Sequence, residues 1–227
     1  MSVTAAVIGA GRMGSVVVKQ FPESTQKIVI DRHPERAEAL AAQVQGKSAS
    51  SLEAAREADL IAVVLPAAAV NETVDKLTGI AKPGAIILNM ATSGVVDSAV
   101  RVKNKDVRVV DAKIIGHAKS MEQGEPGLVV VKTEDEKIFE LIKSQLPGYL
   151  DVVPGDADLV PKINTIGSGE GIKAAVAARK QLQALNIPEE WIHVCIRTAC
   201  AGTMKSYTEN DLGHFARELA DKYEKEL

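Results

Sequence analysis

Continuous apolar runs alternate with amphipathic stretches over the first two thirds of the chain. The first four runs read VTAAVI, KIVID, LIAVVL and AIILNM. Strands buried on both faces have this near-continuous apolar pattern, and the helices between them cover the two faces of a parallel sheet. The alternation therefore predicts an α/β fold with a Rossmann-type doubly wound parallel sheet. Further strands are predicted at 107–110, 127–132 and 149–153, and helices at 12–20, 34–44, 51–58, 68–77 and 135–145.

The pattern changes to helices alone after Gly155. These helices are predicted from about 156 to 163, over 171–185, from 189 to about 201, and over 210–227. The chain is thus predicted to hold an α/β domain at residues 1–154 and a small all-helical segment at residues 155–227. A helical segment of roughly 70 residues is small for an independent domain, so we expect it to need a partner surface. That surface is either the α/β domain or a second subunit.

Charge and cysteine usage narrow the functional classes. The formal net charge is −3 and there is no block of Lys and Arg, so nucleic acid is not an expected partner. The longest nearly apolar run, residues 60–70, is shorter than the ~20 residues that span a bilayer. No secretory or transit pattern opens the chain, which predicts a cytoplasmic protein without a membrane partner. Cys195 and Cys200, five apart in a predicted helix, would lie on different faces and are interpreted as reduced packing residues, and no metal site is predicted.

The segment VIGAGRMGS joins the first predicted strand to the first predicted helix. Gly9, Gly11 and Gly14 form the pattern G-x-G-x-x-G there. In a dinucleotide site the first glycine allows the turn, the second lets the pyrophosphate approach the backbone, and the third lets the helix pack on the sheet. The helix N-terminus then faces the phosphates. Residues 1–154 are therefore predicted to be a dinucleotide-binding domain, although a glycine-rich turn without a ligand and a methyl-donor nucleotide site remain alternatives.

Asp31 ends the second predicted strand and lies 22 positions after Gly9. A carboxylate at about this spacing binds the hydroxyls of the adenosine ribose, and it disfavours the 2′-phosphate of NADP. NAD is therefore slightly favoured. Arg32 and Arg36 follow directly, and Arg12 lies in the glycine loop. An arginine there could bind the 2′-phosphate of NADP. The alternative is that Arg32 and Arg36 simply lie at a solvated helix start.

Two strand-end loops complete the predicted cofactor site, because ligands bind outside the carboxyl ends of the strands. Leu65 and Pro66 follow the run LIAVV, and their backbone is predicted to pack on the nicotinamide ribose. Thr92 and Ser93 follow AIILNM and are predicted to hydrogen-bond the nicotinamide or the substrate. The alternative for these two hydroxyls is a plain role in forming the turn.

The opening IGAGRMG, with Met13 in the pattern G-x-G-x-M, resembles two oxidoreductase families. These are the pyrroline-5-carboxylate reductases and the β-hydroxyacid dehydrogenases, which include the 6-phosphogluconate dehydrogenase type. The stretch 157–207 is similar to the part of the reductases in which a G-S-G turn, here residues 167–169, opens a long helix. The resemblance implies an NAD(P)-dependent oxidoreductase that forms a homodimer through its C-terminal helices.

The chain departs from the reductases in three places. It has Glu170, Gly171 and Ile172 where they have Pro-Ala-Tyr, and KIIGHAK where they have a Met-Pro-Asn stretch. It also shows no match to their Ser-Pro-Gly-Gly-Thr-Thr segment. In the reductases that segment contacts the cyclic imine. The resemblance therefore implies reduction or oxidation of another small imino or oxo/hydroxy acid.

Three residues are candidates for catalysis. Lys162 resembles the lysine with which β-hydroxyacid dehydrogenases move a proton at the substrate oxygen, although their asparagine four positions on is replaced here by Asn164 at two. His117 follows a predicted strand, and its imidazole could serve there as an acid or base. Ser168 could present its hydroxyl and helix-start amides to a carboxylate. The alternatives are a solvated lysine, a structural histidine and a plain N-cap.

The sequence thus predicts an NAD(P)-dependent oxidoreductase with a small-molecule substrate. A second hypothesis comes from a different class, namely an NAD(P)-binding regulatory or redox-sensing protein without turnover. The two hypotheses differ in one observation, which is whether bound reduced cofactor is consumed when small imino and oxo acids are supplied.

Overall fold

The computed structural model describes residues 3–226, and all structural statements concern these residues. Within them, eight strands form one sheet in the order β3-β2-β1-β4-β5-β6-β7-β8. Neighbouring strands run parallel except for β6 and β7, which are antiparallel. The strands are β1 (Thr4–Ile8), β2 (Gln26–Ile30), β3 (Lys47–Ala49), β4 (Leu60–Val63), β5 (Ile86–Asn89), β6 (Arg108–Ile115), β7 (Gly127–Lys132) and β8 (Leu150–Pro154).

Ten α-helices and three tighter or wider turns of helix connect and follow these strands in the described part of the chain. Short 3₁₀ turns cover Leu52–Ala55 and Ala157–Leu159, and a π-helical turn covers Cys195–Cys200. The helices are α1 (Arg12–Gln20), α2 (Pro34–Gln43), α3 (Ala67–Ile80), α4 (Ser98–Val102), α5 (Ala118–Glu122), α6 (Glu136–Gln145), α7 (Val160–Gln183), α8 (Glu189–Val194), α9 (Ala201–Thr208) and α10 (His214–Glu226).

The core consists of two apolar layers, one on each face of the sheet. In β1, Ala5 and Val7 belong to one layer while Ala6 and Ile8 belong to the other, as the alternation of side chains along a strand requires. Buried residues of α1, α2 and α6 complete the first layer, and those of α3 and α4 complete the second. The predicted Rossmann-type doubly wound sheet is confirmed.

The sheet is not parallel throughout, which corrects one expectation. The connection from β6 to β7 holds only the short helix α5 and turns back through Gly116 and Gly124, both at positive φ. A parallel partner needs a crossover of a dozen or more residues, whereas an antiparallel partner does not. The apolar runs of β6 and β7 do not indicate whether the two strands are parallel or antiparallel, because both strands are covered on two faces. β3, a three-residue edge strand with exposed Lys47 and Ser48, was also not predicted.

The helical part differs from its prediction in where the helices begin and end. One continuous helix, α7, replaces the two helices predicted around residues 163 and 171–185. Residues 167–169 therefore lie inside a helix, and the expectation that they form a turn opening it is wrong. Glycine is unfavourable in a helix interior by only about 1 kcal/mol relative to alanine, so it does not force a break. α10 begins at His214 rather than 210, and the predicted end at 227 lies outside the described residues.

The chain forms two compact units by internal contacts, with the first ending at Asn164 and the second starting at Thr165. This division falls inside α7, while the predicted boundary at 154/155 follows the end of the last strand and stays a prediction. In the second unit Ile192 is the only buried residue among 165–226. None of the helices described over residues 3–226 is long and apolar enough to cross a membrane.

Candidate dinucleotide site

The site lies where the strand order reverses. β1 has β2 on one side and β4 on the other, and the chain crosses from one half of the sheet to the other between β3 and β4. At the carboxyl end of β1 the N–H of Gly9 donates to Ile30 O at 2.8 Å, and the N–H of Val64 donates to Ile8 O at 2.9 Å. The loops after β1, β2 and β4 therefore meet at one edge, which is where such sheets bind ligands.

Two of the three motif glycines are required by the fold itself. Gly9 has a φ of +108°, and an added Cβ would lie 2.4 Å from Val64 O. A Cβ on Gly14 would lie 1.9 Å from Gly9 O, because α1 packs directly against the loop. Both distances are far below any real Cβ contact, so no side chain fits at either position. The predicted roles of these two glycines in the turn and in helix packing match this geometry.

Gly11 is different, because nothing in the chain requires a glycine there. Its φ is −80°, and a Cβ built on it meets no atom within 4 Å. It is the N-cap of α1, where no side chain caps the helix and the first turn has no acidic residue. Free N–H groups at a helix N-terminus attract anions, and the open space above Gly11 leaves room for one. The glycine loop and the N-terminus of α1 therefore fit a pyrophosphate.

Asp31 is fixed at the same edge by the backbone. Its Oδ2 accepts the N–H of Ala10 at 2.7 Å, and its Oδ1 accepts the N–H of His33 at 2.9 Å. One oxygen thus contacts the glycine loop and the other contacts the turn into α2. Each carboxylate oxygen retains acceptor capacity beyond one N–H, so hydroxyl groups of a ribose can still bind.

The predicted cationic residues Arg12, Arg32 and Arg36 are all exposed. Arg12 is the first residue of α1, and Arg32 lies between β2 and α2, where its Nε contacts His33 Nε2 at 3.2 Å. Arg36 is exposed in α2. Met13 is half-buried and packs on the apolar layer below α1, so its side chain belongs to the core. The structure brings together the glycine loop, Asp31 and Arg32.

The loop after β4 approaches the glycine loop closely. Leu65 Cδ2 lies 3.1 Å from the Cβ position of Gly9, and Leu65 is half-buried. Pro66 is exposed and is the N-cap of α3. A proline before the first turn of a helix fits there because it has no N–H to leave unpaired.

Thr92 and Ser93 lie in an ordered turn after β5. The buried side chain of Asn89 holds this turn, since its Nδ2 donates to Gly94 O at 2.9 Å and its Oδ1 accepts the N–H of Ala91 at 3.3 Å. Both hydroxyl residues are exposed at the tip, while Gly94 is buried. The turn therefore presents two hydroxyls to solvent at the carboxyl end of the sheet.

A buried polar network supports this turn, and it was not predicted. Asn89 Nδ2 also donates to Asp111 Oδ1 at 2.7 Å, and Arg101 Nη2 donates to Asp111 Oδ2 at 2.5 Å. Arg101 further donates to the carbonyls of Val96 and Val109. A polar residue that directly follows an apolar run, as in AIILN and VVD, is the signal that could have drawn attention to Asn89, which ends β5, and to Asp111, which lies inside β6.

Lys162 and His117 belong to segments that Asn164 joins. Asn164 Nδ2 donates to Ile114 O at 2.8 Å, and its Oδ1 accepts the N–H of Gly116 at 3.4 Å. His117 follows Gly116 as the N-cap of α5, and its Nδ1 lies 3.2 Å from Ser120 Oγ. Lys162 is exposed in the first turn of α7. The amide of Asn164 is thus used to hold the end of β6.

The residues preceding α7 are anchored on β7 by charge. Asp156 and Asp158 both pair with Lys132, and the hydrogen bond from Lys132 lowers the pKa of Asp158 below its usual value. The same carboxylates raise the pKa of Lys132, first through Asp158. These pairs are exposed, so they fix the position of the chain more than they stabilise the fold.

Ser168 lies in the second unit, exposed in the middle of α7. Its predicted helix-start amides do not exist there, because the N–H groups around it belong to a continuous helix. Only its hydroxyl remains as a candidate group. Over residues 3–226 no three His, Cys, Asp or Glu side chains converge in a way that could hold a metal ion.

The sheet order, the glycine loop and the fixed Asp31 define a dinucleotide-binding α/β domain. Residues 4–147 match the family model of the NAD binding domain of 6-phosphogluconate dehydrogenase. The chain belongs to this family, as the resemblance of its glycine loop implied.

Two curated relatives, both named uncharacterised oxidoreductases of Mycobacterium tuberculosis, are 30% identical over 145 residues. The match covers 60% of this chain and 48% of each relative, so the chain spans about half their length.

Solved structures share the fold over more of the chain. A pyrroline-5-carboxylate reductase from Coxiella burnetii has a TM-score of 0.73 at 15% identity, covering 98% of this chain and 85% of that one. A 3-hydroxyisobutyrate dehydrogenase from Salmonella typhimurium has a TM-score of 0.68 at 22% identity, covering 92% and 79%. At these identities the likeness concerns the fold alone.

Proposed function

We propose that this protein binds a nicotinamide dinucleotide at the carboxyl end of β1 and acts as an oxidoreductase on a small imino or oxo/hydroxy acid. The observation that carries the proposal is the contrast among the three glycines. Gly9 and Gly14 are required by packing, whereas Gly11 faces open space at an uncapped helix N-terminus. A glycine that the fold does not need is explained by a ligand that approaches its backbone.

Each part of the edge then has a role in binding. The N–H groups at the start of α1 bind the pyrophosphate, and Asp31 accepts the ribose hydroxyls while the backbone holds it in place. The backbone of Leu65 and Pro66 lies beside the nicotinamide ribose. Thr92 and Ser93, on the turn held by Asn89, hydrogen-bond the nicotinamide or the substrate.

A bound nicotinamide supplies or accepts the hydride. The protein has to orient the substrate and move one proton. Lys162 and His117 are the candidates for the proton, because Asn164 joins the start of α7 to the loop that carries His117. Ser168 is a candidate for binding an anionic group of the substrate through its hydroxyl.

We infer that NAD is the preferred cofactor. The carboxylate of Asp31 is fixed beside the glycine loop, where a 2′-phosphate would be repelled at close range. Arg32 and Arg12 are exposed and can move towards such a phosphate, so the preference is modest. A cytoplasmic location stays a prediction.

We further propose that the second unit pairs with a second copy of this chain. Among residues 165–226 most of the large apolar side chains are exposed, including Trp191 at 64% and Phe215 at 73%. A unit that buries a single residue lacks the core that an independent domain needs. Sedimentation of the intact protein should give about twice 24.1 kDa, and Ile172→Glu, on an exposed face of α7, should shift it towards one chain. A monomer at micromolar concentration would contradict this.

The test of cofactor binding is a calorimetric titration with NADH and NADPH. Wild-type protein should bind NADH more tightly than NADPH. Gly11→Ala should weaken binding by about tenfold or more, since the added methyl group lies in the path of the pyrophosphate. Gly79→Ala is the matched control, because Gly79 is exposed in α3 and also has open space around its Cβ position. Equal nucleotide affinities for Gly11→Ala and Gly79→Ala would contradict a dinucleotide site at Gly11.

The test of turnover separates an enzyme from a regulatory protein that only binds the cofactor. NADH absorbance is followed with a panel of small imino and oxo acids. The wild-type protein should consume NADH with at least one of these substrates. A fall of about 100-fold in that rate in Lys162→Met or in His117→Gln would identify the proton donor. Tight binding without consumption of NADH by any substrate would favour the regulatory hypothesis.

A further inference from the structure

Lys113 is a buried cation that the fold leaves without a partner. It lies in β6, is only 4% exposed, and is the only buried lysine or arginine among residues 3–226. Within these residues no hydrogen bond or ion pair engages its Nζ. Removing an unpaired charge from water is costly, so lysines are almost never buried unless they are paired. The burial of Lys113 therefore requires an explanation.

The nearest carboxylate along the strand is already engaged. Asp111 lies two positions before Lys113, so both side chains leave β6 on the same face, about 7 Å apart along the strand. Asp111 Oδ1 accepts a hydrogen bond from Asn89, and its Oδ2 accepts one from Arg101. Asp111 is thus the acceptor of another cation and does not neutralise Lys113.

A second carboxylate lies within electrostatic range of Lys113 but is bonded elsewhere. Asp158 pairs with Lys132, which also pairs with Asp156. The hydrogen bond from Lys132 is the main cause of the lowered pKa of Asp158 and outweighs the opposing effect of burial. The charge of Lys113 adds to this lowering. Lys113 therefore attracts Asp158 from a distance without forming an ion pair with it.

The ammonium group of Lys113 is not sealed in the core. In the described part of the chain, every side-chain nitrogen or oxygen that is cut off from solvent has a hydrogen-bond partner. Because the Nζ of Lys113 has no partner, it must retain access to solvent. The side chain thus has a buried stem and ends at a narrow opening, where a small anion can reach the ammonium group.

The place of Lys113 in the sheet puts this opening beside the candidate site. β5 and β6 are parallel, and Asn89, the last residue of β5, pairs with Asp111. Lys113 therefore lies past the end of β5, on the side where the turn after β5 begins. β6 ends at Ile115, and Asn164 bonds the residues on either side of it to the start of α7. All of these residues belong to the first unit.

We propose that Lys113 binds a carboxylate of the small acid and is a specificity-determining residue of the reaction proposed above. The inference rests on that proposed function, which supplies the class of substrate. The carboxylate oxygens accept charge-assisted hydrogen bonds from the ammonium group, and the ion pair that the chain lacks is then complete. A neutral molecule of the same size leaves the buried ammonium unpaired, so the site selects acids over amides and alcohols.

The experiment is a calorimetric titration of the intact protein with oxalate and with its neutral diamide oxamide, each with and without NADH. Wild-type protein should bind oxalate at least tenfold more tightly than oxamide. Lys113→Met keeps the length of the side chain and should weaken oxalate binding by about tenfold or more. Lys105→Met, which removes an exposed lysine just before β6, should change nothing. Equal oxalate affinities in wild type and Lys113→Met, or no oxalate binding by wild type, would overturn the proposal.

Urea unfolding separates a ligand-binding lysine from a structural one. An unpaired buried cation contributes a desolvation cost, which an apolar side chain of similar size removes. The urea midpoint of Lys113→Met should therefore be equal to that of wild type or higher, and this also shows that the variant is folded. A lower midpoint with unchanged oxalate binding would assign Lys113 to the stability of the fold.

Asp158→Asn tests whether the chain itself neutralises Lys113. This variant leaves Lys132 paired with Asp156 and removes a charge that repels an incoming carboxylate. Affinity for oxalate should rise by no more than about threefold, because the two charges are separated and partly screened. A larger increase would show that Asp158 already occupies Lys113 in the wild-type protein, and a decrease would also contradict the proposed role.

The assignment of Lys113 and the proposed function fail in different ways. If wild-type protein does not bind NADH, the oxidoreductase proposal fails, while oxalate binding that depends on Lys113 still identifies an acid-binding site. If wild type and Lys113→Met bind NADH equally and their oxalate affinities are also equal, only the assignment of Lys113 fails.

Discussion

The carboxylate of Asp31 accepts the backbone N–H of Ala10 at 2.7 Å, so the acid directly after the second strand is bonded to the loop that follows the first. This bond joins two parts of the cofactor edge before any ligand binds. A charge-assisted hydrogen bond to the backbone holds the carboxylate in one position, and such preorganisation reduces the entropy that the Asp31 side chain would otherwise lose when a ribose binds. The loop and its acid therefore act as one unit.

We expect Asp31→Asn to reverse the cofactor preference. Asparagine keeps the size of the side chain and can still accept the N–H of Ala10, but it removes the charge that repels a 2′-phosphate. Affinity for NADH should fall by about tenfold, which corresponds to ~1.4 kcal/mol, while affinity for NADPH should be equal or higher. Calorimetric titration with each nucleotide measures both changes. Asp151→Asn, an exposed change of the same kind in β8, should alter neither, and a parallel loss of both affinities in Asp31→Asn would argue against a ribose role.

Gly14→Ala should destabilise the fold itself. The new methyl group would lie 1.9 Å from Gly9 O, and the backbone of the loop cannot move away without separating α1 from the sheet. Overpacking of this kind costs about 1–3 kcal/mol or more, which a urea titration detects as a lower midpoint with an unchanged slope. Gly11→Ala should unfold near the wild-type midpoint. If both variants unfold together, the difference between a structural and a ligand-facing glycine does not hold.

The strands of the cofactor half were predictable because burial on two faces leaves a continuous apolar run, and each run from VTAAVI to AIILNM became a strand. The glycine loop was predictable because three glycines at this spacing, directly after a strand, are typical of a dinucleotide-binding turn. The direction of β7 was not predictable, since an antiparallel strand covered on both faces has the same apolar pattern as a parallel one.

The helical part was harder to predict for a physical reason. Gly167 and Gly169 indicate a break on propensity, but the helix continues through them because each costs only about 1 kcal/mol. The π-helical turn at Cys195 depends on which carbonyl each N–H selects, and residue spacing alone carries no signal of it. The network of Asn89, Asp111 and Arg101 depends on contacts between residues far apart in sequence.

The network below the Thr92 turn gives a prediction about coupling. Arg101→Met leaves Asp111 largely buried without its cation, and Asp111→Asn leaves Arg101 with its bonds to two carbonyls. Removing the arginine should cost about 2 kcal/mol, less than the 3–5 kcal/mol of a fully buried pair, because Arg101 is partly exposed. The double variant should show a coupling free energy of about 1 kcal/mol in urea unfolding.

The strength of NADH binding offers an independent check on that network. If the network positions Thr92 and Ser93, the affinity for NADH should fall in Arg101→Met even where the protein remains folded. Arg108→Met is a suitable control, since Arg108 is exposed on the same strand as Asp111. Additive unfolding free energies for Arg101 and Asp111 would show that the short contact between them contributes nothing.

Lowering the pH should reduce the free energy of unfolding, partly through Asp59, which directly precedes β4. Burial raises the pKa of this carboxyl, but the hydrogen bonds from Lys82 Nζ at 2.6 Å and from the N–H of Thr4 at 2.8 Å outweigh it, so the pKa is lowered below its ordinary value. A lowered pKa in the folded state means that the contribution to stability is complete above the unfolded pKa of about 3.9 and is lost as the pH falls through the folded value. The difference in urea midpoint between wild type and Asp59→Asn should therefore be constant from pH 7 to about pH 5 and shrink below about pH 4. A difference that stays unchanged down to pH 3 would show that the Lys82 and Thr4 contacts do not favour the ionised form.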